Sequence, residues 1–147
     1  MSQSRSPADL LIGTWRLKTH TQETVETGAI AEPRGLHPKG LITYTGDGRF
    51  SIIAAPERRR RPAQVMVTDD EALDLFRGLT SYAGGYSVEG DVVIHHVEVS
   101  WNEIWADTAQ RRRFVVDENE LTIIAGPDLN PRDGKLAIST LIWDRVR

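Results

Sequence analysis

The stretch Tyr82-Ala83-Gly84-Gly85-Tyr86-Ser87-Val88-Glu89-Gly90-Asp91-Val92-Val93-Ile94-His95-His96-Val97-Glu98-Val99-Ser100 reads as two strands about an acidic turn. β-Branched and aromatic residues populate both arms, and Glu89-Gly90-Asp91 supplies the turn chemistry between them. The same grammar continues toward the C-terminus. A loop carrying Trp101 and Trp105 leads to a strand over 110–116, and Asp117-Glu118-Asn119-Glu120 turns into a strand over 121–125. A Gly/Pro/Asn/Asp-rich loop over 126–134 precedes a last strand over 136–146.

Toward the N-terminus, Trp15-Arg16-Leu17-Lys18-Thr19-His20 alternates with a period of two, the mark of a half-buried strand. Residues 24–39 lose that period and collect Gly28, Pro33, Gly35 and Pro38, so they form a connection of the length usually tied to function or motion. Strands over 41–45 and 49–54 flank Gly46-Asp47-Gly48, a hairpin signal. Four consecutive arginines, Arg58 to Arg61, sit between Pro56 and Pro62; they read as a solvated loop or, more sharply, as an anion-binding loop. Thr68-Asp69-Asp70-Glu71 is a capping box, and Ala72, Leu73, Phe76 and Leu79 follow at helical spacing, which predicts one short amphipathic helix over 69–79.

About eight strands joined mostly by short loops must be antiparallel neighbours. Closing them into an up-and-down barrel removes both exposed edges. The fold expected is therefore all-β: an eight-stranded antiparallel barrel with one short helix, spanning residues 10–147 as a single domain behind a flexible arm over 1–9. A barrel of this size either holds one small ligand or is filled by its own side chains.

Composition narrows the function classes. The chain has 147 residues, 39% of them hydrophobic, enough for one core. A net charge of −3 argues against a nucleic-acid partner. No apolar run is long enough to span a bilayer, and no apolar signal core precedes the first strand, so a cytoplasmic protein without a membrane partner is expected. The absence of cysteine excludes disulfides, thiolate metal sites and cysteine nucleophiles. A closed barrel leaves no free edge, so the expected state is a monomer, or a homodimer that uses loops or an outer face.

Two groups of residues resemble a known family. Gly13-Thr14-Trp15 opens the first strand and Arg145 closes the last. This is similar to the lipocalin superfamily and implies that Trp15 plugs the closed end of a barrel while Arg145 packs over it as a cation on an aromatic ring. The run His95 to Asn102 with Trp105, Gln110 and Arg112, together with Gly40 to Tyr44 and Tyr82 to Tyr86, resembles the bacterial lipocalin-like domain family. Arg111-Arg112-Arg113 is more basic than that family's pattern.

Pairing 92–100 with 110–116 about Ile104 sets His96 opposite Arg112 and Glu98 opposite Gln110. Turning the even-numbered residues inward buries Ile94 and Phe114 and spares Arg111 and Arg113 an unpaired burial. The expected lumen then has Tyr82, Tyr86, Ile94, Phe114 and Ile123 as its apolar wall. Its polar group is His96, Glu98, Gln110 and Arg112, with Arg112 available to a guest carboxylate. Binding of a small hydrophobic or amphipathic molecule is the leading reading. An isomerase or cyclase using His96 or Glu98 as acid or base is the first alternative. A filled barrel acting as a protein-interaction module, with Trp101 and Trp105 as its recognition patch, is the second. A metal site on His96 and Glu98 needs a third or fourth ligand, and His20 and His37 are the only histidines outside the His95-His96 pair, so neither metal nor cofactor is expected.

Overall fold

A computed structural model describes residues 5–130 and 133–147. Nine strands follow in chain order: β1 (Gly13–Thr24), β2 (Ile30–Ala31), β3 (Lys39–Tyr44), β4 (Arg49–Ala55), β5 (Thr80–Glu89), β6 (Val92–Ser100), β7 (Ala109–Val116), β8 (Glu120–Leu129) and β9 (Leu136–Arg145). Among the described residues two α-helices accompany them, α1 (Pro7–Leu11) before β1 and α2 (Asp69–Gly78) between β4 and β5, with one 3-10 turn at Glu103–Trp105. Neighbouring strands pair antiparallel in the order β2-β1-β3-β4-β5-β6-β7-β8-β9, and β1 also pairs with β9. That last pairing closes an eight-stranded barrel, with β2 as an extra short strand on β1.

Alternation makes the wall. In β4, Phe50, Ile52 and Ala54 are buried while Arg49, Ser51 and Ile53 are exposed. Bulges interrupt the period in β1 and β6, and the register also shifts in β8 between Ala125 and Asp128. In β1, Leu17 faces Trp143 and Thr19 faces Ile142, so Lys18 is extra and the inward parity passes from Leu17 to His20. In β6, Gly84 of β5 faces Val97 while Ala83 faces Val99, so Glu98 is extra. Gly84 is required there: a Cβ at that position would run into the His96 carbonyl oxygen and lie 2.9 Å from the Glu98 nitrogen.

Strand direction sorts the connections by length. β3–β4, β5–β6 and β7–β8 turn tightly at one end of the barrel. The connections spanning 25–38, 56–79 and 101–108 all lie at the other end. The tight end is sealed. Trp15, Trp143, Ile42, Leu121 and Val93 are 0% exposed there, and Leu11 of α1 joins them. The Trp15 indole N–H donates to the Leu11 carbonyl (3.0 Å). Arg145 lies over the Trp15 ring at 4.2 Å, and its guanidinium donates to the carbonyls of Leu10, Ile12 and Glu118.

The N-terminus is described in part. Of the arm expected over 1–9, residues 1–4 lie outside the described residues, and 7–9 belong to α1. Ser6 caps that helix by accepting from the Asp9 nitrogen, and Pro7 occupies its first turn, where a missing N–H costs nothing. The helix expected over 69–79 is α2, with both halves of its capping box formed between Thr68 and Glu71. It buries no residue.

Candidate functional site

The inner face of β6 is the reverse of the one expected. Val93, His95 and Val97 are buried and face the lumen, while His96 and Glu98 are exposed on the outer wall. The error is one of register parity. His95 lies opposite Gln110, Val93 opposite Arg112 and Ile94 opposite Arg111. Odd residues of β6 therefore share a face with even residues of β7. Arg111 and Arg113 then stay outside without forcing His95 out with them. The loop is not symmetric about Ile104. The Val97 N–H bonds the Thr108 carbonyl and the Asp107 N–H bonds the Val97 carbonyl, with Asp107 at φ 60°.

On that outer wall His96 and Glu98, the acid/base candidates, each have a partner. His96 Nε2 bonds the Ser87 hydroxyl at 3.0 Å. Glu98 forms an ion pair with Arg49, which holds its carboxyl below the usual range. Ile94 shares their outer face although it is only 6% exposed. The other expected residues do point inward. Gln110 and Phe114 are buried on β7 with Arg112 half-buried between them, and Ile123 is buried on β8. Tyr82 and Tyr86 are half-buried on β5, packed against the core. Gly13, Trp15 and Arg145 form the sealed end.

His95 is the centre of what the structure assembles. Its ring stacks on Phe50 at 4.2 Å between centroids, with Tyr44 at 5.7 Å and Tyr82 at 6.0 Å. Its Nε2 is 2.7 Å from the Tyr44 hydroxyl. Tyr86 stands edge-on to Tyr44 at 4.9 Å and anchors its own hydroxyl on the Thr45 carbonyl. Burial, reinforced by the Arg112 charge and then by His96, pushes the His95 pKa down to about 3, so the imidazole is neutral at pH 7. Burial also raises the Tyr44 and Tyr82 hydroxyls, which are therefore neutral as well.

Arg112 is the charge in this box. Its guanidinium donates to the Gln110 side-chain carbonyl (2.8 Å) and to the Arg111 backbone carbonyl (3.2 Å). No carboxylate lies within 4 Å of it among the described residues, where the ion pairs are Lys18–Glu120, Arg49–Glu98 and Arg111–Glu89. His95 Nδ1 and Gln110 Nε2 are buried with hydrogen-bonding capacity that the protein does not use.

Nearer the long connections the lining loosens. Tyr82, Ser100, Ser139 and Leu141 are half-buried where the residues of the sealed end are closed off. Arg34, from the 25–38 connection, reaches across this end to His20 Nδ1 (2.8 Å) and the Thr80 hydroxyl. His20, Tyr44, His95 and Arg34 were not singled out from the sequence as lumen residues. Tyr44 was within reach: it alternates with Ile42 and faces Phe50 across the hairpin. His20 was hidden by the Lys18 bulge and His95 by the register, and nothing in the 25–38 connection marks Arg34. Among the described residues no group of three or more His, Asp and Glu side chains is placed to hold a metal ion, and no helix is long and apolar enough to cross a membrane.

The profile of the lipocalin-like domain family matches residues 12–146. Among solved structures, an uncharacterised protein from Bacteroides eggerthii is similar over 92% of this chain and 99% of its own, at 11% identity and a TM-score of 0.45. No curated protein matches in sequence.

Proposed function

The chain belongs to the lipocalin-like domain family, and on that premise we propose that the open half of its barrel binds a small amphipathic carboxylate. One observation carries this reading: Arg112 faces the same lumen as neutral His95 and Tyr82, and among the described residues no carboxylate lies within 4 Å of its guanidinium. A cation held among aromatic rings strengthens its attraction for any anion that reaches it, because the surrounding dielectric is low. The same rings supply an apolar wall for the rest of the guest. On this reading the guest enters at the end that carries the long connections, where Tyr82, Ser139 and Leu141 are only half-buried.

Calorimetric titration with laurate and 1-naphthoate tests the reading, with Arg112→Leu and Arg112→Lys beside the natural chain. Loss of a charge-assisted hydrogen bond of about 1.5–3 kcal/mol predicts an affinity roughly ten- to a hundredfold weaker in Arg112→Leu, with partial retention in Arg112→Lys. Equal affinity in all three proteins, or no binding of either acid, overturns it.

A further inference from the structure

The barrel rim holds a second cationic feature that the lumen reading does not use. The run Pro56-Glu57-Arg58-Arg59-Arg60-Arg61-Pro62 leaves β4 at the open end and crosses toward α2. Arg58 and Arg59 line a cleft of about 270 Å³ together with Arg77 of α2, between Pro33, Pro56 and Gly78. An adjoining cleft of about 130 Å³ shares Pro33, Pro56, Arg77 and Gly78 and adds Arg34. Three segments distant in sequence thus bring guanidinium groups to one concavity.

The walls of this concavity are fixed by the backbone. The Glu57 N–H donates to the Arg34 carbonyl (2.9 Å), tying the two loops together. The Glu57 carboxylate accepts from the His37 N–H (2.8 Å) and lines a neighbouring cleft with Arg34 and Arg58, without an ion pair to either within 4 Å. At Gly78 the end of α2 comes so close to Pro56 that an added Cβ would touch the proline ring at 3.5 Å. Arg59 donates to the Leu75 carbonyl of α2. Arg58 and Arg77 make no hydrogen bond or ion pair with another described residue, and Asp74, the one acidic residue lining the larger cleft, lies more than 4 Å from every guanidinium there.

We propose that this rim cleft of Arg58, Arg59 and Arg77 binds the phosphoryl group of a small molecule. A single carboxylate is satisfied by one guanidinium fork, whereas three arginines lining one cleft suit a tetrahedral anion with two charges and at least three acceptor oxygens. The concave shape between two prolines favours a compact group over an extended polyanion lying across the surface. Arg60 and Arg61 belong to the same run but do not line the larger cleft, which makes them an internal control of equal charge. The proposal does not depend on occupancy of the barrel lumen.

Inorganic pyrophosphate is the probe, titrated by calorimetry at about 0.15 M salt, where long-range surface attraction is largely screened. The expected result is saturable one-to-one binding that weakens at least about tenfold in Arg58→Gln/Arg77→Gln and less than about twofold in Arg60→Gln/Arg61→Gln. Arg112→Leu leaves pyrophosphate binding unchanged, and the cleft variants are titrated with laurate in parallel, so failure at the rim and failure in the lumen are read separately. Absence of binding, or equal weakening by the two arginine pairs, overturns the site. So does association with phosphatidic acid vesicles without any binding of pyrophosphate, which would assign the arginines to a surface field.

Discussion

The Tyr44 hydroxyl and His95 Nε2 meet at 2.7 Å inside the barrel, joining β3 to β6 across the lumen although the two strands are not paired. Both side chains are essentially sealed from solvent, at 1% exposure each. Both are neutral, because burial disfavours the imidazolium and the phenolate alike. A single proton shared between two neutral groups holds this pair together.

That neutrality gives stability a pH dependence. The His95 pKa is lower in the folded chain, about 3, than its ordinary value of 6.5. The unfolded chain therefore takes up a proton first as pH falls, and stability is lost through the window from 6.5 down to 3. The slope approaches about 1.4 kcal/mol per pH unit for one fully shifted group. Urea unfolding of the natural chain and of His95→Gln between pH 6.5 and 4.5 should show the slope shrinking in the variant. The His95 ring resonances should not titrate across the same range.

Glycine 84 is predicted to tolerate no side chain. In Gly84→Ala the methyl group meets the backbone of the Glu98 bulge, which cannot yield without breaking strand pairing. A loss of roughly 3 kcal/mol or more in chemical unfolding is expected, at the upper end of overpacking effects. Gly85→Ala is the control: its nearest neighbours lie at 3.5 and 3.7 Å, and its cost should be small.

Removing Arg145 should loosen the sealed end. Arg145→Ala gives up the ring contact with Trp15 and three bonds to backbone carbonyls. About 2–4 kcal/mol of destabilisation is expected by urea titration. Arg145→Lys should recover only part of it, since one ammonium cannot span three carbonyls while lying flat on an indole.

His96→Ala and Glu98→Gln should leave laurate and naphthoate affinity within about twofold of the natural chain, as expected of outer-wall residues far from the guest. Calorimetry on the two variants checks this, and a large loss in either would return these residues to the site.

The barrel was legible because alternation and turn chemistry are local. Glu89-Gly90-Asp91 and Gly46-Asp47-Gly48 mark their own hairpins, and Gly13, Trp15 and Arg145 carry the seal. The inner face of β7 was equally readable from Gln110, Arg112 and Phe114. The face of β6 was not. Its parity depends on an asymmetric loop with Asp107 at positive φ, and on a bulge at Glu98 whose position is set by its partner strand. A one-residue change in either reverses every side chain beyond it. Arg34 was hidden for a different reason: a connection without periodicity does not announce which of its residues folds back over the lumen.

The four tryptophans divide evenly between the two poles of the barrel. Trp15 and Trp143 are locked in the sealed base, whereas Trp101 and Trp105 stand in the 101–108 loop at the rim. The chain therefore contains two spectroscopically separable pairs of fluorophores, one reporting on whether the base has melted and the other on what happens at the mouth. Red-edge emission and quencher access can follow a guest's arrival without any added dye, while the blue, shielded component serves as the internal reference that the fold is still intact.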